Sequence, residues 1–454
     1  MSITKSLATL LLSLTLLSST VCSKGNGGPH LIRDAEIEGL LRYYSKPIFK
    51  AAGINPDAVK VFVIADPSIN AFVAGGQRIF IHTGLITRAK TPGQVIGVLA
   101  HETGHIAGGH LAKMQSEMES ASAERILGML VGAAAIVGGA MSGNNEAAQA
   151  GQGIIVGSSG AAQRGFLSYQ RGMESTADQS ALKYLKASGQ SPKGMLDLFQ
   201  VLASESLAST HGTDPYAYSH PMAADRIRAL EVAAHASPDF DKPDDPALML
   251  RHQLAQAKLV GFMQSPQQVY AKYPSSNKSL PARYARAIAM FRRGDLKNAM
   301  PVIDSLTKDM PQDPYFWELK AQAYLENGQA EKGLPAIRKA RELLPNNGLL
   351  QILAAQVMLG NESSSNADEA LMILRKAKQT EPDSPDVYKS MAKAYALKGD
   401  LARAELATAE FAWLTGDAGL AIEKATSSQS LFKRGSPEWL RAADILNFAN
   451  RKKK

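Results

Sequence analysis

The sequence predicts a mainly α chain in two folded parts. Two patterns carry that expectation: apolar residues at helical spacing around a histidine pair near residue 100, and a thirty-four-residue repeat from about residue 280 onward. At 454 residues the chain exceeds what one core supports, and about three domain-lengths are expected. With 45% hydrophobic and 20% charged residues it has the composition of an ordinary soluble protein. The formal charge is +8, and Arg451-Lys452-Lys453-Lys454 supplies four of those charges, so the body is only mildly basic. No interleaving of basic and aromatic residues argues for a nucleic-acid partner. The basic tail, 451–454, reads as a frayed end able to touch anionic lipid or an acidic partner.

In chain order, the first element is a leader. Lys5 precedes Leu7 to Leu17, apolar except for Thr and Ser and too short to span a bilayer, so residues 1–23 read as a secretory signal peptide. Val21-Cys22-Ser23 suits cleavage near Ser23, with the mature chain starting near Lys24. Cys22 also admits a lipoprotein, but Val21 is larger than the small residue such processing wants, and the soluble exported form is preferred. That mature chain has no cysteine, which excludes thiolate metal ligands.

A helix follows from Thr91 as N-cap, Pro92 at the first helical position, and apolar Val95, Ile96, Leu99, Ile106 and Leu111. It carries His101-Glu102-Thr103-Gly104-His105. Positions i and i+4 share a helix face, so both imidazoles can bind one metal ion while Glu102 reaches the water to be activated. His110 lies five residues beyond His105, some 140° around a continued helix at ~100° per residue, and is expected to point away as a packing or hydrogen-bonding histidine. A catalytic zinc needs a third protein ligand. Glu174-Ser175-Thr176-Ala177-Asp178 offers it, with Tyr169 upstream and Ala181, Leu182 and Leu185 in helical register. Glu174 would face the metal, and Asp178, one turn on, would accept a ligand histidine's second ring proton. An ordinary acidic helix start reads the same way.

Between these helices, Ile126 to Met141 is an uncharged Gly/Ala-rich run, shorter than the ~20 residues of a bilayer crossing. It reads as a buried or membrane-apposed helix, with a flexible loop from Gly139 to Gly160 positioned to cover the cleft. Residues 250 to 280 read as a helical bridge. Beyond it, Gly294 and Gly328 are 34 residues apart, as are Pro311 and Pro345, which is the tetratricopeptide period. Tyr284, Ala287 and Phe291 answer to Glu318, Ala321 and Leu325, with Trp317 and Tyr324 adding bulk. A polar insertion, Glu362 to Asn366, distorts the third unit, and a fourth runs from Pro385 through Tyr388, Ala392 and Tyr395 to Gly399. One such unit cannot bury its apolar face alone, so several must stack, leaving a concave surface for any partner.

His101, Glu102 and His105 together with Glu174 and Asp178 resemble the M48 family of zinc peptidases, which joins HExxH on one helix to ExxxD on a second. The resemblance implies a zincin-like α+β metallopeptidase domain with a small sheet, followed by the tetratricopeptide α-solenoid. It implies one Zn2+ held by His101, His105 and Glu174, with Glu102 as general base and Asp178 behind the ligands. Asn70-Ala71-Phe72, Gly75-Gly76 and Ile79-Phe80-Ile81 resemble the family's strand element, along which an extended substrate would add main-chain hydrogen bonds. His220-Pro221 with Arg226-Ile227 resembles its downstream motif. There chemistry allows two roles: His220, with Arg226, donating hydrogen bonds to the oxyanion, or His220 as a fourth zinc ligand that holds the enzyme shut, the role favoured here.

The order of leader (1–23), peptidase domain (24–255), bridge and repeats (256–450) and tail is similar to that of periplasmic M48 proteases of Gram-negative bacteria that assist outer-membrane β-barrel assembly. What this implies is a periplasmic endopeptidase acting on misfolded or stalled envelope proteins. The repeats would meet the outer-membrane assembly machinery, and 126–141 would touch the membrane peripherally. The rival reading is a chaperone or assembly scaffold whose solenoid carries the main role.

Overall fold

A computed structural model describes residues 30–114, 160–208, 220, 224–362 and 364–452, with the side chains of 160–169, 205–208 and 452 outside that description. The leader, the 126–141 run, most of the 139–160 loop, Tyr218, Ser219, Pro221 and the last two lysines therefore lie outside the described residues, as does the Tyr169 side chain. The chain divides into two compact units, residues 37–256 and residues 1–36 with 257–454. Among the described residues no helix is long and apolar enough to cross a membrane.

In the 37–256 unit the sheet is small. After a two-residue strand in the other unit, β1 (Leu31–Ile32), come β2 (Lys60–Ile64), β3 (Ala71–Ala74) and β4 (Arg78–His82). β4 lies between β2, to which it is parallel, and β3, to which it is antiparallel, and β3 ends the sheet. Alternation sorts the side chains: Val63, Ile79, Ile81 and Ala71 are buried on one face, while Phe62, Phe80 and Phe72 stack across the register on the other, 5.3 Å between successive ring centroids. Two elements carry no strong sequence signal and were not expected, strand β2 and the helix α1 (Ala35–Ala51), whose buried Leu40, Leu41, Tyr44 and Ile48 follow helical spacing.

Among the described residues, α1 is followed in this unit by α2 (Thr83–Arg88), α3 (Pro92–Ala107), α4 (Gly160–Ala187), α5 (Lys193–Ala208) and α6 (Ala224–His235). Thr91 and Pro92 begin α3 as expected, but the Thr91 side chain accepts no backbone N–H; Asp244 takes the N–H of Gly93 instead. The predicted 255/256 boundary falls within α7 (Pro246–Met263), so a cut there would sever a helix. Its His252 donates to the Ala89 carbonyl at 3.1 Å and accepts from the buried Tyr44 hydroxyl at 3.1 Å, while Gln256 donates to the Ile86 and Ala89 carbonyls.

Among the described residues the second unit has only helices as regular structure from 266 onward: a short α8 (Pro266–Lys272), then five helix pairs, 280–291/296–309, 314–326/330–343, 348–358/367–380, 385–397/401–415 and 418–431/437–452. The fifth pair lies beyond the fourth unit read from the sequence. Gly294, Gly328 and Gly399 each take a left-handed backbone between paired helices; in the third unit Glu362, 34 residues after Gly328, takes that position at φ 56°, followed by the inserted 3-10 turn Ser364–Asn366. A repeated lock also appears. Trp317, Gln351 and Tyr388 each donate to the carbonyl of a proline six residues upstream, at 2.9, 2.8 and 3.0 Å.

At the start of this unit one ammonium meets three carboxylates. Lys258, 2% exposed, lies 2.8 Å from Asp34, 3.4 Å from Glu36 and 3.2 Å from Glu318, and Tyr284 donates to Glu36 at 2.8 Å. Burial pushes the Glu36 carboxyl up to about 8, with Asp313 and Asp34 adding to it against the pull of Lys258. Unfolded, Glu36 has its ordinary value of 4.5, so the folded chain holds a proton that the unfolded chain releases. That contribution is complete below the unfolded value and is lost as pH rises through about 8. Thermal melts at pH 6 and pH 9 should show a larger fall in Tm for the wild type than for Glu36→Gln; equal falls would remove Glu36 from the account.

Candidate metal centre

α3 delivers three functional side chains because its 3.6-residue turn stacks His101 above His105 and sets Glu102 beside them. α4 delivers the carboxylates. The two helices touch backbone to backbone: a Cβ on Gly104 would stand 2.7 Å from the Ala177 carbonyl oxygen, so only glycine permits this approach. Ala177 sits between Glu174 and Asp178, and the contact therefore sets both carboxylates over the histidines. All of His101, Glu102, Glu174, Asp178 and His220 are buried.

His101, His105, Glu174 and His220 form one cluster whose donor atoms lie within 4.8 Å of one another. His101 Nε2 is 3.1 Å from His105 Nε2 and 3.3 Å from Glu174 Oε2; His105 Nε2 is 3.3 Å from Glu174 Oε1. His220 Nδ1 is 3.3 Å from His101 Nε2 and 3.1 Å from Glu174 Oε2. A tetrahedron with zinc–ligand bonds of ~2.0–2.1 Å has edges of about 3.3 Å, and these separations match it. The donor set, three imidazoles and one carboxylate, is what zinc takes.

A second observation points the same way. Neither carboxylate oxygen of Glu102, 1% exposed, has a hydrogen-bond partner among the described residues, and His220 Nε2 stands 3.5 Å from Oε1. A buried carboxylate without a partner is costly unless water or an ion belongs beside it. The residues fit a bound metal.

Behind the cluster, His101 Nδ1 meets Asp178 Oδ1 at 2.9 Å. Burial works against charge on His101, yet its bonds to Asp178 and Glu174 push it up to about 9. Burial also opposes the charge of Glu174, but His101, His105 and His220 around it hold its carboxyl far below the usual range, and Arg226 and His101 hold Asp178 down likewise.

One of the two roles read for His220, the less favoured, paired it with Arg226 as an oxyanion donor, and for Arg226 the structure gives a different setting. Its guanidinium is occupied by carboxylates: Nη1 reaches Glu174 at 2.9 Å, Nη2 reaches Asp178 at 2.8 Å, Nε also bonds Asp178, and the group lies over the Phe199 ring. It thereby sets both carboxylates in place. The expectation for His110 is corrected. It does not point away but bonds His105, Nδ1 to Nδ1 at 3.0 Å, and burial pushes it down to about 4, so it is neutral. The rotation argument failed because α3 ends at Ala107.

Asn70 and Ala71 are buried at the start of β3, and Phe72 is half-buried. The His220 ring bridges this strand and the cluster, its Nε2 lying 3.2 Å from the Ala71 carbonyl oxygen.

Residues 36–234 match the model of Peptidase family M48. Among curated proteins, the Beta-barrel assembly-enhancing protease of Yersinia pestis is 22% identical over 414 residues, covering 88% of this chain and 82% of its own length. The protein of the same name from Escherichia coli (strain K12) is 24% identical over 390 residues, 83% of this chain and 75% of its own. Metalloprotease YcaL from the same strain is 29% identical over 188 residues, 40% of this chain and 66% of its own.

Proposed function

We propose that this chain, whose residues 36–234 are an M48 peptidase domain, is a zinc-dependent endopeptidase of the bacterial periplasm that degrades misfolded or stalled envelope proteins. The observation that carries the reading is the four-residue His/Glu cluster with the partnerless Glu102 carboxylate beside it. The relatives named for β-barrel assembly, similar over most of the chain, support the envelope setting, and the helical repeats offer the surface through which outer-membrane assembly machinery would be engaged. A pure scaffold would leave Glu102 without a task, since a structural metal site has no need of a general base.

His101, His105 and Glu174 would hold the ion, with His220 as fourth donor in the closed arrangement. Bound there, zinc supplies Lewis-acid polarisation of the scissile carbonyl and makes water more acidic. Glu102, unengaged and buried, takes the proton from the attacking water and returns it to the leaving amine. Asp178 holds the proton on Nδ1 of His101, keeping its Nε2 as the donor. The substrate chain would pair along β3, the end strand, and exclude water from the cleft.

In this account His220 is a latch. Its Nδ1 takes the position a catalytic water needs, and its Nε2 takes the Ala71 carbonyl that an extended substrate would use. Removing it opens both. His220→Ala should therefore raise basal cleavage of a loosely folded substrate such as casein, with zinc retained. A fall of about 10²–10³ in turnover with zinc still bound would establish the oxyanion role instead.

A further inference from the structure

His101 and His105 both turn Nε2 to the common centre, so each keeps its ring proton on Nδ1 and needs an acceptor there. For His101 that acceptor is the Asp178 carboxylate. For His105 the atom in reach is Nδ1 of His110, at 3.0 Å. We propose that His110 is a positioning residue of the metal centre: its Nδ1, 3.0 Å away, accepts the Nδ1–H of His105 and so fixes the tautomer and ring orientation in which His105 binds metal.

The local chain is shaped for this contact. α3 stops at Ala107, Gly108 caps it, and Gly109 takes φ +62°, a left-handed turn that reverses the chain before residues 110–114 resume helix. The reversal folds the His110 ring back over Gly108, where a Cβ would stand 2.3 Å from His110 Nε2. The two rings then meet edge to face, 5.0 Å between centroids and 81° between planes. His110 is itself buried, 6% exposed. An imidazole acceptor orients His105 without adding a fourth carboxylate beside Glu102, Glu174 and Asp178, of which Glu174 and Asp178 already share one guanidinium.

This inference rests on the zinc reading, and wild-type zinc binding is its control. Zinc affinity of the full chain is measured by competition with a chromophoric chelator, and the site is read independently through the absorption spectrum of the cobalt-substituted protein. His110→Leu should weaken zinc binding roughly 10–100-fold, the usual loss when a ligand's outer partner is removed, and shift the cobalt bands. His110→Asn, whose Oδ1 stands at the same branch point as Nδ1, should restore both to near wild type. His110→Gln, with its carbonyl one bond farther out, should behave as Leu does, and decides the matter against Asn if the Leu protein does not fold. Affinities in His110→Leu or His110→Gln equal to that of His110→Asn, whether all strong or all weak, would overturn the proposal. No zinc in the wild type would instead remove the reading beneath it.

Discussion

Glu102→Gln yields a folded protein that keeps its metal and loses its cleavage. The amide has the shape of the carboxylate and fills the same buried space, so α3 and the ligand histidines stay where they are. What it cannot do is accept a proton from water at neutral pH. General-base catalysis is worth about 10²–10⁴ in rate, and the loss in kcat/KM on casein should fall in that range. Because neither Glu102 oxygen is held by the protein, the change breaks no hydrogen bond among the described residues, and Tm should scarcely move. Cleavage within a few-fold of wild type would assign the base elsewhere.

Glu174→Ala is the more damaging change. Glu174 is a donor in the cluster and also the partner of Arg226, His101, His105 and His220. Its removal takes away one ligand and leaves Arg226 Nη1 and three imidazoles without the carboxylate they share, with only Asp178 still on the guanidinium. Breaking a buried charge pair typically costs about 3–5 kcal/mol, so Tm should fall along with zinc content and activity. Glu174→Gln separates the effects: an isosteric side chain spares much of the packing but is a poor zinc ligand. It should fold near normally, with zinc and cleavage both lost. Full zinc and full proteolysis in the Ala protein would mean that another carboxylate completes the site.

The shared face of His101 and His105 on α3 was legible because spacing on one helix depends only on the helix period. The pairing of that face with Glu174 and Asp178 rests on Gly104 opposite Ala177, two small residues whose contact no local pattern reveals. His110 was misplaced by extending the helix period past Gly108-Gly109, a pair that signals a C-terminal turn and should have stopped the extrapolation. The setting of Arg226 was not legible because its partners lie 48 and 52 residues away in sequence and only the fold brings them to it. Likewise the cap on α3 comes from Asp244 rather than the adjacent Thr91. The repeats were easier, since each unit packs mainly on its neighbours; the third hid its marker because Glu362 stands where the others carry glycine.

The most direct test of the central claim is metal content measured beside casein cleavage on the same preparations of wild type, Glu102→Gln and Glu174→Ala. The account predicts about one zinc per chain in the first two, none in the third, and cleavage by the wild type alone, abolished by a chelator and restored by added zinc. Cleavage that persists in metal-free wild-type protein would contradict it.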